Sequence, residues 1–260
     1  MTSIRNTMVF DIETVPDVES GRKIFDLQGL NDEDTAKAMA HMQVQKTGSD
    51  FLPLHLQRIV AISVVLRTGD SGVKVWTLGD ESATEAEIIK RFFDGIERFT
   101  PTIVSWNGSG FDLPVLHYRS MLHGVAAPRY WEMGEEDTSF RFNNYINRFQ
   151  WRHTDLMDVL AGYQMRGRAP LDQIATMMGF PGKMGMSGDK VWGTFLKGDL
   201  AAIRDYCETD VLNTWLVYLR FSLTRGIISE DQYEQECELV REALDASEKD
   251  HLVEFLHAWL

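Results

Sequence analysis

Three short stretches of this sequence carry acidic residues at spacings that chemistry can use. In MVFDIETV, residues 8–15, Asp11 and Glu13 stand two apart in an otherwise apolar run. Strand side chains alternate faces, so the pair points one way. Two buried carboxylates repel each other unless a cation neutralises them, and hard oxygen ligands at this spacing suit Mg²⁺ or Mn²⁺. The plainer alternative is a strand leaving the sheet edge with its acids solvated. In WNGSGFDLPVL, residues 106–116, the Asn107–Gly108 pair makes a tight turn and Asp112 falls at a helix start. Aspartate is a favoured N-cap, which alone would explain it. However, a strand followed by such a turn also delivers Asp112 to the end of a sheet where α/β proteins place ligands. In DYCETDVLNTWLVYLRF, residues 205–221, Tyr206 and Asp210 are four apart and share one helix face. The alternative there is an exposed Asp flanked by a Tyr.

The elements that must position these residues are legible from periodicity. Residues 8–15 read as a buried strand. RIVAISVVLR, residues 58–67, is a β-branched strand, with a turn at 70–72 and VKVWTL as its hairpin partner. Ser82 and Glu85 have capping-box spacing and are expected to open a helix running to about residue 99. TIVSW is a short buried strand, and a helix is expected over 112–123. A further edge strand is expected in 149–155, and helices over 155–163, 171–178 and 199–223. Ser229 and Gln232 repeat the capping-box spacing and open a helix toward residue 246. The Gly-rich FPGKMGMSGDK, residues 180–190, is a loop. Strands alternating with helices beside a hairpin imply an α/β fold, with a mixed central sheet flanked by helices. One domain over 1–260 is expected, with a helical insertion at about 17–50 and an appended helical segment at about 228–260.

The net charge of −13 is a poor prior for nucleic-acid binding. The charges are unevenly spread, however. Residues 138–154 contain no acid and interleave Arg141, Arg148 and Arg152 with five aromatic residues. That pattern offers cations to phosphates and ring faces to bases. A half-buried hairpin with its arginines in water would give the same pattern. Two cysteines without CxxC spacing, no secretory pattern and no span of about 20 apolar residues point to a cytoplasmic protein that does not enter a membrane. His153, near Asp155 and Asp158, reads as a structural hydrogen-bonding residue before a metal ligand. Cys207 lacks a basic partner and reads as packing.

The ordered set of DIE on a first strand, NGSGFD after a later strand and YCETD on a late helix resembles the DEDD 3′–5′ exonucleases of the ribonuclease H-like fold. Within that superfamily it is similar to the proofreading exonuclease domain of family B DNA polymerases and to its stand-alone bacterial relatives. HTDLMDVL and GFPGKMGMSGDKVW also resemble the stand-alone group. The YxxxD spacing, with Asp205 where the histidine branch has His, places the resemblance in the tyrosine branch. The resemblance implies two Mg²⁺ or Mn²⁺ ions held by Asp11, Glu13, Asp112 and Asp210, with Tyr206 orienting the attacking water. The implied products are nucleoside 5′-monophosphates from single-stranded or frayed DNA 3′ ends. Thr14, Val15, Asn107 and Phe111 are then candidate substrate contacts, as are Arg141, Arg148, Arg152, Lys183 and Lys190, although Phe111 reads equally well as a core aromatic. RNA 3′ ends and a silent nucleic-acid-binding module are the alternatives. A chain of this length leaves no room for a polymerase, so proofreading or DNA repair would involve a separate partner.

Overall fold

The computed structural model describes residue 4, residues 6–69 and residues 72–260. Among the described residues, five strands form one mixed sheet: β1 (Asn6–Pro16), β2 (Gln57–Thr68), β3 (Val73–Thr77), β4 (Thr102–Ser105) and β5 (His153–Asp155). Their spatial order is β3-β2-β1-β4-β5. β1 pairs antiparallel with β2, and β2 with β3, whereas β1–β4 and β4–β5 are parallel. Helices flank the sheet, in keeping with a ribonuclease H-like arrangement. The expected turn at 70–72 falls partly on residues 70 and 71, which lie outside the described residues; Gly72 takes the left-handed backbone (φ +82°).

The alternation of β1 supplies both halves of the core. Met8, Phe10 and Ile12 pack against α3 (Glu85–Phe99) and α4 (Asp112–His123) through Ile89, Phe92, Val115 and Leu116. Val9, on the other face, packs with Val65, Val104 and the long α9 (Leu200–Thr224), where Trp215 is fully buried. A helix buried on most of its circumference has no polar face to give to water, and it therefore lies at the centre of the chain's packing. Asp199 caps α9, accepting from Ala202 N–H at 3.1 Å. The remaining helices are α1 (Val18–Phe25), α2 (Asp32–Thr47), α5 (Pro128–Trp131), α6 (Leu156–Leu160), α7 (Leu171–Met177), α8 (Val191–Leu196), α10 (Glu230–Asp245) and α11 (Asp250–Trp259).

The 17–50 stretch forms the helices α1 and α2, with a small core of Met39, Leu52 and Leu56 beneath them. The C-terminal α10 and α11 bury Tyr233, Cys237, Val240, Leu252 and Phe255 in the same cluster as Trp215. A buried Arg67–Glu236 ion pair at 2.8 Å ties α10 to β2. The expected capping box opening at Ser82 is shifted. The observed box is Thr84 with Glu87, and Ser82 instead closes a turn on Asp80. Both boxes have the right spacing; Glu85 is drawn inward by Arg119, whose Nε donates to it at 2.7 Å. The edge strand expected in 149–155 is confined to β5. No helix among the described residues is long and apolar enough to cross a membrane.

Candidate active site

Register explains where the acids gather. β1 pairs with β4 only over Thr7–Val9, but continues beside β2 as far as Pro16. Asp11 and Glu13 therefore sit where β1 has outrun its parallel neighbour. The backbone N–H of Ile12, which no β4 residue pairs, donates to Asp112 Oδ1 at 3.2 Å. Asp112 is the first residue of α4 and does not cap it; Phe111 holds the N-cap position without a side-chain bond. From the other side, α9 brings Cys207 within 3.6 Å of Asp11 Oδ2, and the Tyr206 hydroxyl bonds Asp210 one turn on. Ligand-capable atoms of Asp11, Glu13 and Cys207 lie within 4.8 Å of one another.

The electrostatics of this group are unusual for carboxylates. Burial, then the charges of Asp112, Glu13 and Asp210, push the Asp11 carboxyl well up. Glu13 is raised by burial and by Asp210 and Asp112. Burial also takes Asp112 up to about 7 and Asp210 up to about 6. Asp11, Tyr206 and Asp210 remain partly exposed, so the cluster opens to solvent. Burial and the charges of Asp210, Glu13 and Asp11 raise Tyr206, which keeps its phenol protonated as a donor. Cys207 is likewise held as a neutral thiol by burial and by Asp11 and Glu13. The oxygen-rich donor set fits a hard divalent cation, which would relieve the mutual repulsion.

The turn that delivers Asp112 is held by a residue that the sequence offers only as an acidic neighbour of His153. Asp155, at the end of β5, accepts the N–H groups of Asn107 (3.0 Å) and Ser109 (2.8 Å). Asn107 adopts the left-handed conformation that Asn tolerates (φ +65°) and accepts from Gly110 and Phe111 through its carbonyl. Its buried side-chain oxygen has no hydrogen-bond partner among the described residues. A Cβ at Gly108 would collide with the Ser105 side chain. Ser105 also meets His153 Nε2 at 2.9 Å, and Asp158 pairs with Arg148 and Arg168, each at 2.7 Å. His153 and Asp158 are thus tied into the scaffold.

An unforeseen group fixes α9. Glu208 is buried, yet hydrogen bonds from His251, Lys249 and Thr77 outweigh the burial and hold its carboxyl down to about 2. On the opposite side Asn213 clamps Gly182 by two hydrogen bonds, of 3.0 and 2.8 Å. Gly182 has φ +66°, and a Cβ there would meet Thr176. This clamp sets the 180–190 loop beside the site. Lys183 partly offsets the rise in Asp210, and Asp172 of α7 adds to it.

The other candidate contacts are dispersed. Thr14 Oγ1 donates to Gln57 at 2.9 Å, and Val15 is buried against Val191, Ile203 and Cys207. Phe111 is partly buried and its ring meets Phe51. Lys190 is exposed just before α8. The 138–152 stretch forms no hairpin among the described residues. Tyr145 donates to the carbonyl of Pro101, ahead of β4, and Arg225 at the end of α9 covers Trp151. These anchors lie at the end of the sheet away from Asp112. Arg148 is engaged by Asp158, Arg152 lies over Phe140 at 3.9 Å, and Arg141 is exposed.

Residues 49–259 match the family model described as a predicted 3′–5′ exonuclease related to the exonuclease domain of PolB. That range includes Asp112, Tyr206 and Asp210, and it begins after Asp11 and Glu13. No curated protein matches the chain. The chain belongs to this exonuclease family, whose substrates are nucleic acids.

Proposed function

We propose that this member of the PolB-related exonuclease family is a metal-dependent 3′–5′ exodeoxyribonuclease that releases nucleoside 5′-monophosphates from single-stranded or frayed DNA 3′ ends. The observation that carries this reading is the cluster of four carboxylates from β1, α4 and α9, all raised by burial, Asp11 and Glu13 also by the charges of the others, with Lys183 offsetting only part of the rise in Asp210. Asp11, Glu13, Asp112 and Asp210 would hold two Mg²⁺ or Mn²⁺ ions. Bound there, the ions supply an acidified water and stabilise charge on the leaving 3′-oxygen.

The chain's own groups do the rest. The Tyr206 phenol stays protonated and orients the attacking water, too weak an acid to serve as its base. Asp210 fixes the phenol through their hydrogen bond. Lys183, held beside Asp210 by the Asn213–Gly182 clamp, contacts phosphate, with Lys190 further along the same loop. Thr14, the Val15 backbone and Asn107 line the terminal nucleotide. Arg141 and Arg152 would meet only a longer strand, since the Tyr145 and Trp151 anchors of their stretch lie away from Asp112, whereas Arg148 is held by Asp158, just past the Asp155 that holds the Asn107 turn. The buried free cysteines suit the cytoplasm, where a separate polymerase or repair partner would supply ends.

The test is a time course on 5′-labelled single-stranded DNA with Mg²⁺ or Mn²⁺, beside EDTA, an RNA of the same sequence and the Asp11→Ala protein. A ladder on DNA that EDTA and the substitution both abolish is expected. A ladder on RNA alone would make the enzyme an exoribonuclease, and no shortening of either polymer would leave a binding module.

A further inference from the structure

We propose that Phe51, His55 and Tyr118 extend the carboxylate site into a stacking track for the bases behind the 3′ terminus of a single strand; this rests on the nuclease reading above. Phe51 and His55 lie on the segment that leaves α2 for β2. That segment is anchored by the residues next to them, Leu52 and Leu56, both buried. Phe51 and His55 are not needed for that anchoring and stay at the surface, Phe51 with 57% of its area exposed. Across from them, Phe111 at the N-cap of α4 and Tyr118 within it are seven residues apart, about 10 Å along the helix axis. Tyr118 is 50% exposed.

The four rings meet in pairs. Phe51 lies 5.9 Å from Phe111 at 53°, and His55 lies 5.9 Å from Tyr118 at 70°. Neither pair is stacked face to face, so ring faces remain for other planar groups. The chain ties these rings to the carboxylates at two points. Phe111 directly precedes Asp112, and Gln57, at the end of the segment, accepts from Thr14, which directly follows Glu13. The ~10 Å between the pairs matches about three nucleotides at the ~3.4 Å rise of a stacked strand. Aromatic faces accept any base, which suits an enzyme that must degrade without regard to sequence. Rings also bind without positive charge, and they therefore supply affinity that does not depend on cations in a chain whose net charge is −13.

A single strand of about twelve nucleotides, with 2-aminopurine third from its 3′ end, tests the track in Ca²⁺ so that binding is read without turnover. Wild-type protein should quench the probe. Phe51→Ala and Tyr118→Ala should each weaken binding about tenfold, Phe51→Trp should restore it, and melting temperatures should stay near wild type. In turnover with Mg²⁺, Phe51→Ala should raise KM while leaving kcat within about twofold, and the effect should vanish on a dinucleotide. Wild-type affinity and quenching in both alanine variants would overturn the track, whatever the turnover assay gives. A wild-type protein that quenches through Phe51 but cleaves nothing would support the track and overturn the nuclease reading.

Discussion

Glu208 and Asp210 sit two residues apart on α9, and the protein treats them in opposite ways. Glu208 is surrounded by Lys249, His251 and Thr77, and its carboxyl is held down to about 2. Asp210 lies close enough to Asp11 and Glu13 for its charge to raise both; burial takes it up to about 6, with Lys183 only partly offsetting the rise. The same contrast separates Glu85 and Asp17, both bound to Arg119, and Asp158, bound to Arg148 and Arg168, from the four acids at the end of β1. Burying a charge is costly unless it is paired, and the chain pairs its structural acids carefully. Four acids gathered in one place with no ion pair among the described residues therefore mark a site reserved for external positive charge.

The largest effect that would sharpen this contrast is on catalysis. Asp210→Asn should lower the metal-dependent rate by about a thousandfold, since a cation ligand contributes several kcal/mol to the transition state. The same change should raise the melting temperature of the metal-free protein, because it removes one repelling charge. Single-turnover rates and calorimetry check the two halves. A variant that kept its rate would remove Asp210 from the site, and a lowered metal-free melting temperature would mean that Asp210 is structurally paired like Glu208.

The next effect is a pH dependence confined to the metal-free state. Asp112 and Asp210 have folded-state values of about 7 and about 6, raised above those of the unfolded chain, mainly by burial. Between about pH 4 and pH 7 the folded form thus binds more protons than the unfolded form, and stability falls as pH rises. His117 and His153, lowered to about 4 by burial, pull the other way below about pH 6.5, where unfolding binds their protons. The acid contribution is therefore read as wild type minus Asp112→Asn. That difference should amount to a few kcal/mol and should shrink when Mg²⁺ or Mn²⁺ is added. A difference profile flat from pH 4 to pH 7 would break the idea of stored repulsion.

Much of this contrast was legible in the residues and much was not. Spacing alone set Asp11 with Glu13 and Tyr206 with Asp210, because strand and helix periods decide which side chains share a face. The start of α4 at Asp112 was also legible, but whether that residue caps the helix was not. The answer depends on Ile12, a hundred residues away, whose N–H is free only because β4 is short. Long-range pairing hid the rest. Ser82 and Thr84 offer equal capping boxes until Arg119 claims Glu85. The arginines of 138–152 look free in sequence, yet Arg148 is already held by Asp158. Glu208 reads as one more acid in YCETD, since nothing local shows that Lys249 and His251 return to it from α11.

The smallest effect tests the paired side. Glu208→Ala removes the acceptor shared by Thr77, Lys249 and His251, which joins α9 to β3 and to the start of α11. Lys249 is half-exposed and can return to water, so the loss should be about 2 kcal/mol, less than for a fully buried pair. It should appear as a lower melting temperature in the presence and absence of metal alike, with affinity for the cation little changed. Asp210→Asn should show the reverse pattern, stabilising without metal and weakening metal binding. If Glu208→Ala instead weakened metal binding as strongly as Asp210→Asn, the paired and unpaired acids of α9 would belong to one electrostatic unit. The division between scaffold and site would then have to be drawn around the whole turn of helix.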